Sequence, residues 1–135
     1  MDLHKLYLSE QLEGIKSGKF SSTELTTHYL ERISKFDEEL NSFITVTEDQ
    51  AIAQAKKSDE RYKHNTNLPL DGLPIAHKDI FCTKDVLTTC GSKMLSNFEA
   101  PYSSTVFEKL DNEGMVMLGK TNMDEFAMGS SNAVS

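Results

Sequence analysis

The sequence has little of what would mark a secreted, metal-binding, membrane-spanning or nucleic-acid-binding protein. It has two cysteines, Cys82 and Cys90, without C-x-x-C spacing, which excludes a disulfide scaffold and a zinc ribbon. The four histidines, His4, His28, His64 and His77, are scattered, with none at i, i+4 from another, so no metal site is expected. Met1-Asp2-Leu3-His4-Lys5 lacks the basic start and apolar stretch of a signal peptide, and no later run is long enough to span a bilayer. A cytoplasmic location with reduced thiols is the expectation. The 14 Lys and Arg are outnumbered by 21 Asp and Glu, for a net charge of −7. The basic residues are dispersed, so this segment is not expected to contact nucleic acid directly.

What is present reads as helices followed by strands. With 135 residues and 38% apolar content, the chain can build a core. Leu8, Leu12 and Ile15 recur at helical spacing, and Gly18 follows where a left-handed cap is least strained. Ser21-Ser22-Thr23-Glu24 fits a capping box, Phe20 can staple onto Leu25, and Leu25, Tyr29, Ile33 and Phe36 make one apolar stripe. Thr47-Glu48-Asp49-Gln50 offers a second capping box, opening a helix to about Lys63. Turn chemistry from His64 to Gly72 then separates an all-helical start from a region of different period.

Leu73 to Ile80 reads as a strand ending at a polar site. Ser104 can cap a helix that Gly114 ends, and Met115 to Leu118 is a buried strand. The order predicts an α/β fold: an N-terminal helical segment at 1–68, then at 69–135 the beginning of an α/β core, together one interrupted domain. Both strands are expected to be apolar on both faces, inside a sheet covered by helices.

Three motifs invite chemistry. Gly114-Met115-Val116-Met117-Leu118-Gly119-Lys120-Thr121 satisfies the letters of a phosphate-binding loop. That loop needs a strand before its first glycine and exposed N–H groups between its glycines, whereas here a helix precedes and the intervening residues are apolar. Lys78 ends an apolar run, where a lysine can be largely desolvated, and desolvation favours the neutral base. Asp79 is the obvious ion-pair partner, yet neighbours on a strand point to opposite faces. Ser130 and Ser131 follow Gly129 but have no G-x-S-x-G context.

Two blocks together carry a resemblance. Leu70-Asp71-Gly72-Leu73-Pro74-Ile75-Ala76-His77-Lys78-Asp79 is similar to the lysine-bearing block of the amidase-signature family. Gly119-Lys120-Thr121-Asn122-Met123-Asp124-Glu125-Phe126-Ala127-Met128-Gly129-Ser130-Ser131 resembles a later block typical of its tRNA-dependent amidotransferase branch. Thr88-Thr89-Cys90, Ser92-Lys93-Met94-Leu95, Pro101-Tyr102 and Thr105-Val106 fit the same branch, in register from the Ser22-Thr23-Glu24-Leu25 helix onward. His77, Gly91 and Asn132-Ala133-Val134 depart from the pattern.

The resemblance implies N-terminal helices followed by the start of a mixed sheet covered by helices. It implies an amidase using a lysine, a serine in a cis peptide bond and a nucleophilic serine, with Lys78 as the lysine. Gly129, Ser130 and Ser131 are expected at most to line the substrate pocket, since the two serines lie in a Gly- and Ser-rich signature further along. A chain ending at Ser135 is therefore expected to have an incomplete core and no activity alone. Also implied are glutamine as substrate, a B subunit holding ATP and magnesium, a small C subunit, and glutamyl-tRNA(Gln) acted on through the complex. No cofactor is expected in this chain. Another amidase-signature hydrolase, a nucleotide-binding protein and a non-catalytic interaction fragment are the rival readings.

Overall fold

The computed structural model describes residues 2–131; the Asn132-Ala133-Val134 continuation lies outside them. Four α-helices and three strands follow one another as α1 (Leu8–Lys16), α2 (Ser22–Leu40), β1 (Phe43–Val46), α3 (Glu48–Lys63), β2 (Pro74–Lys78), α4 (Thr105–Asn112) and β3 (Val116–Thr121). The sheet order is β1-β3-β2, with β1 antiparallel and β2 parallel to β3. The mixed α/β class expected from the residues is the one observed.

Local signals account for the helices. The Ser21 hydroxyl accepts from the Glu24 amide at 3.0 Å while the Glu24 carboxylate accepts from the Ser21 amide at 2.7 Å, satisfying two donors that the start of α2 would leave orphaned. Phe20 and Leu25 pack in one cluster with Leu3, Ile15, Leu73 and Met115. Gly18, at φ +73°, turns the chain out of α1. Leu8 is 55% exposed, and Leu3, in a short 3-10 turn ahead of α1, fills the place expected of it.

The all-helical start needs correction, because β1 lies within it. Four residues between two helices give too short a pattern to separate from a loop, and β1 exists through its pairing with β3. Gly119 allows that pairing to close: a Cβ there would come within 2.2 Å of the Thr45 carbonyl oxygen. The second capping box is also absent. The Thr47 hydroxyl donates to the Met117 carbonyl at 3.0 Å, and its amide to the Leu118 carbonyl at 2.9 Å, so Thr47 extends the sheet instead of capping α3.

β3 is the buried centre, with Val116 to Lys120 all buried. Val116 and Leu118 pack on Leu30 of α2 and Ala51 and Ala55 of α3, while Met117 meets Phe107 of α4 and Val86. β2, whose residues suit burial on both faces, lacks the neighbours for it within this chain. It is an edge strand with Ala76 and Lys78 exposed, and Pro74 and Ala76 line a groove of about 580 Å³ against α2. Among the described residues no helix is long and apolar enough to cross a membrane.

Candidate active site at the carboxyl edge of the sheet

β2 and β3 run parallel, so Lys78 and its ladder partner Thr121 end at the same edge. In α/β sheets the carboxyl ends of parallel strands are where connecting loops gather reactive groups. Two loops leave this edge, one through residues 79–92 and one through residues 122–131 that carries Gly129, Ser130 and Ser131, all three exposed.

The ladder is irregular where it matters. Ile75 lies opposite Met117, but Ala76 lies opposite Gly119, so Leu118 is an extra residue in β3. Such a bulge moves the alternation by one position. Lys120 consequently falls on the face of Met117, opposite His77, instead of continuing the Val116 and Leu118 row. Alternation along β2 puts His77 and Asp79 on that inner face and Lys78 on the other.

Lys120 is fully buried, as is Asp79. Its ammonium donates to the Phe81 carbonyl at 2.7 Å and to the Thr88 hydroxyl at 3.2 Å, and stands 3.4 Å from Asp79 Oδ1. That last distance is a charge contact, too long for a short charged hydrogen bond, and Oδ1 has no hydrogen-bond donor. Oδ2 of Asp79 accepts from the Thr89 amide at 2.9 Å and from the Thr89 hydroxyl. Burial pushes the Lys120 ammonium below the ordinary lysine range, and the Asp79 carboxylate opposes that shift. His77, whose ring lies 5.1 Å from that of Phe107, is likewise held below the usual histidine range, first by burial and then by Lys120.

The backbone around Lys78 is gripped from several sides. The Phe81 amide donates to the Lys78 carbonyl at 3.0 Å, the Asp79 amide to the Thr121 carbonyl at 3.1 Å, and the Cys90 amide to the Asp79 carbonyl at 3.1 Å. Further out, the Ser92 hydroxyl donates to Glu125 at 2.7 Å and the Phe126 amide to the Cys90 carbonyl at 2.9 Å, joining the two loops.

Burial thus falls on a different lysine from the one whose desolvation the sequence suggested. Lys78 is exposed, while Lys120, singled out as the lysine of a phosphate-binding motif, is the desolvated one. Residues 116–121 are strand, buried from Val116 to Lys120, so the motif presents no exposed N–H cradle and the nucleotide reading fails on geometry. The Asp79–Lys120 pair was not foreseen. Its signal was a charged residue closing an otherwise apolar run, since a charge there must be paired to be buried. Among the described residues no group of three or more His, Cys, Asp or Glu could hold a metal ion.

Comparisons with known proteins converge on one group. The sequence pattern of the Amidase family matches residues 24–135. The A subunit of a glutamyl-tRNA(Gln) amidotransferase from Alcanivorax borkumensis is 59% identical over 98% of this chain, which spans 28% of that relative's length. Among solved structures, a protein from an inhibitor-bound vestigial complex related to an s-triazine catabolic enzyme superposes with TM-score 0.88 at 34% identity, over 95% of this chain and 29% of its own. Native peptide amidase from Stenotrophomonas maltophilia gives 0.86 at 28% identity, over 95% and 27% respectively.

Proposed function

This chain belongs to the amidase-signature family, and from that premise we propose that it forms the lysine-bearing part of an amidotransferase A subunit that hydrolyses glutamine. Lys78 acts as the base. The observation that carries this reading is its placement: exposed at the carboxyl end of β2, on the face opposite Asp79, whose carboxylate is committed to Lys120 and Thr89. A lysine at such an edge is free to exchange a proton with a substrate or a serine that reaches it.

In the reaction as proposed, neutral Lys78 takes the proton of a bridging serine, which takes that of the nucleophilic serine as it attacks the side-chain amide carbon of glutamine. The C–N bond breaks, and ammonia leaves with the proton returned through the same relay. Water then hydrolyses the acyl-serine to glutamate, with Lys78 again accepting a proton. Both serines belong to the longer protein, since the chain spans 28% of the relative's length. The ammonia passes to a B subunit that activates Glu-tRNA(Gln) with ATP and magnesium, producing Gln-tRNA(Gln) for translation, and a small C subunit joins the two. Gly129, Ser130 and Ser131 line the substrate pocket in this reading, since their loop leaves the same sheet edge as Lys78.

The test uses the intact A subunit in complex with its partners. Lys78→Ala should lower the kcat of glutamine hydrolysis by about 10²- to 10⁴-fold, the usual worth of a general base, while the complex forms as before. A near-normal rate would place the base elsewhere. Amide hydrolysis by the isolated protein, indifferent to the partners, would favour a self-sufficient amidase.

A further inference from the structure

We infer that Lys120 is a positioning residue for Lys78, acting through Asp79 and the turn at Phe81; the inference rests on the reading of Lys78 as the base. The two lysines do not touch, yet the contacts that grip the Lys78 backbone lead back to Lys120 within a step or two. Its ammonium holds the Phe81 carbonyl at 2.7 Å, and the Phe81 amide holds the Lys78 carbonyl at 3.0 Å. It faces Asp79 Oδ1 at 3.4 Å, and Asp79 is the residue after Lys78, pinned on its other oxygen by Thr89. Its third contact, Thr88 Oγ1 at 3.2 Å, fixes the loop that returns to the Asp79 carbonyl through Cys90. Both hydrogen bonds of the ammonium and its charge contact fall on the segment that follows β2.

Stability alone is a poor account of this arrangement. A fully buried ion pair is expensive to desolvate, and apolar residues of similar volume often replace one with no loss of stability. The pair is moreover imperfectly satisfied, with Asp79 Oδ1 lacking a hydrogen-bond donor. What a buried charge network supplies and apolar packing does not is direction, because its contacts fail when atoms move by a fraction of an ångström. The bulge at Leu118 that turns Lys120 inward serves the same end, since with regular alternation the ammonium would fall on the opposite face. Lys78 is thereby presented on the outer face with its backbone held.

The experiment compares Lys120→Met, Asp79→Asn and the double variant in the intact assembled enzyme, reading kcat, KM, thermal unfolding and the pH profile of glutamine hydrolysis. Positioning predicts a fall in kcat of about 10- to 100-fold in each, with KM within about threefold of wild type. It also predicts that the acidic limbs of the two single variants separate by about one pH unit. Lys120→Met leaves the Asp79 carboxylate uncompensated next to Lys78, so that variant needs the higher pH to free its base. A merely structural pair would lower the unfolding temperature while kcat per folded molecule stayed near wild type. Where a single variant fails to fold, the double variant, which buries no net charge, decides through kcat and KM. Coincident limbs, a wild-type kcat in any folded variant, or failure of all three to fold would overturn the inference. Hydrolysis that survives Lys78→Ala would instead sink the assignment of the base, so the two failures are told apart.

Discussion

The helical layer and the carboxyl edge of the sheet are held together by different physics. In the first, Leu25, Leu30, Ala51 and Ala55 bury apolar surface, with small polar groups such as Thr26 and Ser58 buried among them and others at the starts of helices. Asp59 of α3, for example, accepts from the Ser22 amide at 2.7 Å and the Thr23 amide at 3.2 Å. In the second, a lysine and an aspartate occupy the interior while Met94, Tyr102 and Met128 are exposed. Apolar packing tolerates changes that keep volume, whereas a buried polar network demands particular atoms in particular directions. The layer is therefore built for stability and the edge for geometry.

On that division, the largest effect should come from a change that leaves stability alone. Lys78→Arg keeps an exposed cation but stays protonated at neutral pH, so glutamine hydrolysis should fall by about 10²- to 10⁴-fold with an unchanged melting temperature. Steady-state assays beside calorimetry of the intact protein would show it, and retained activity would break the comparison. Leu25→Ala is the converse. Leu25 is fully buried, so truncation should cost about 2–5 kcal/mol in chemical denaturation, while activity per folded molecule stays near wild type.

A smaller loss, about 0.5–2 kcal/mol, is expected for Ser21→Ala, which removes the hydroxyl that accepts from the Glu24 amide. A loss above about 3 kcal/mol would mean that the start of α2 carries more than a cap. The smallest effect concerns His77, which folding holds below its ordinary value of 6.5. Below that value the unfolded chain binds the proton first, so stability present above pH 6.5 is lost as pH falls through the folded value, with a slope no steeper than about 1.4 kcal/mol per unit. His77→Leu should flatten the curve. His4 shifts in the same direction and is common to both proteins, so the difference between their denaturation profiles isolates His77. Identical profiles would remove His77 from the account.

The elements legible from the residues are those whose causes are local. The capping box at Ser21, the staple of Phe20 on Leu25, the turn at Gly18 and the Ser104 cap each act over a few residues, and each is present. A lysine at the end of a strand with an aspartate on its far side was legible too, since alternation is a local property. Long-range pairing decided the rest. β1 is too short to announce itself and forms only against β3, and the Thr47 hydroxyl was claimed by the Met117 carbonyl 70 residues away. Above all, the bulge at Leu118 exists only in the register between β2 and β3, and no periodicity along one strand contains it. That one extra residue decides which lysine is buried, because it turns Lys120 to the face of Asp79 and leaves Lys78 without a competing ion pair from its neighbour.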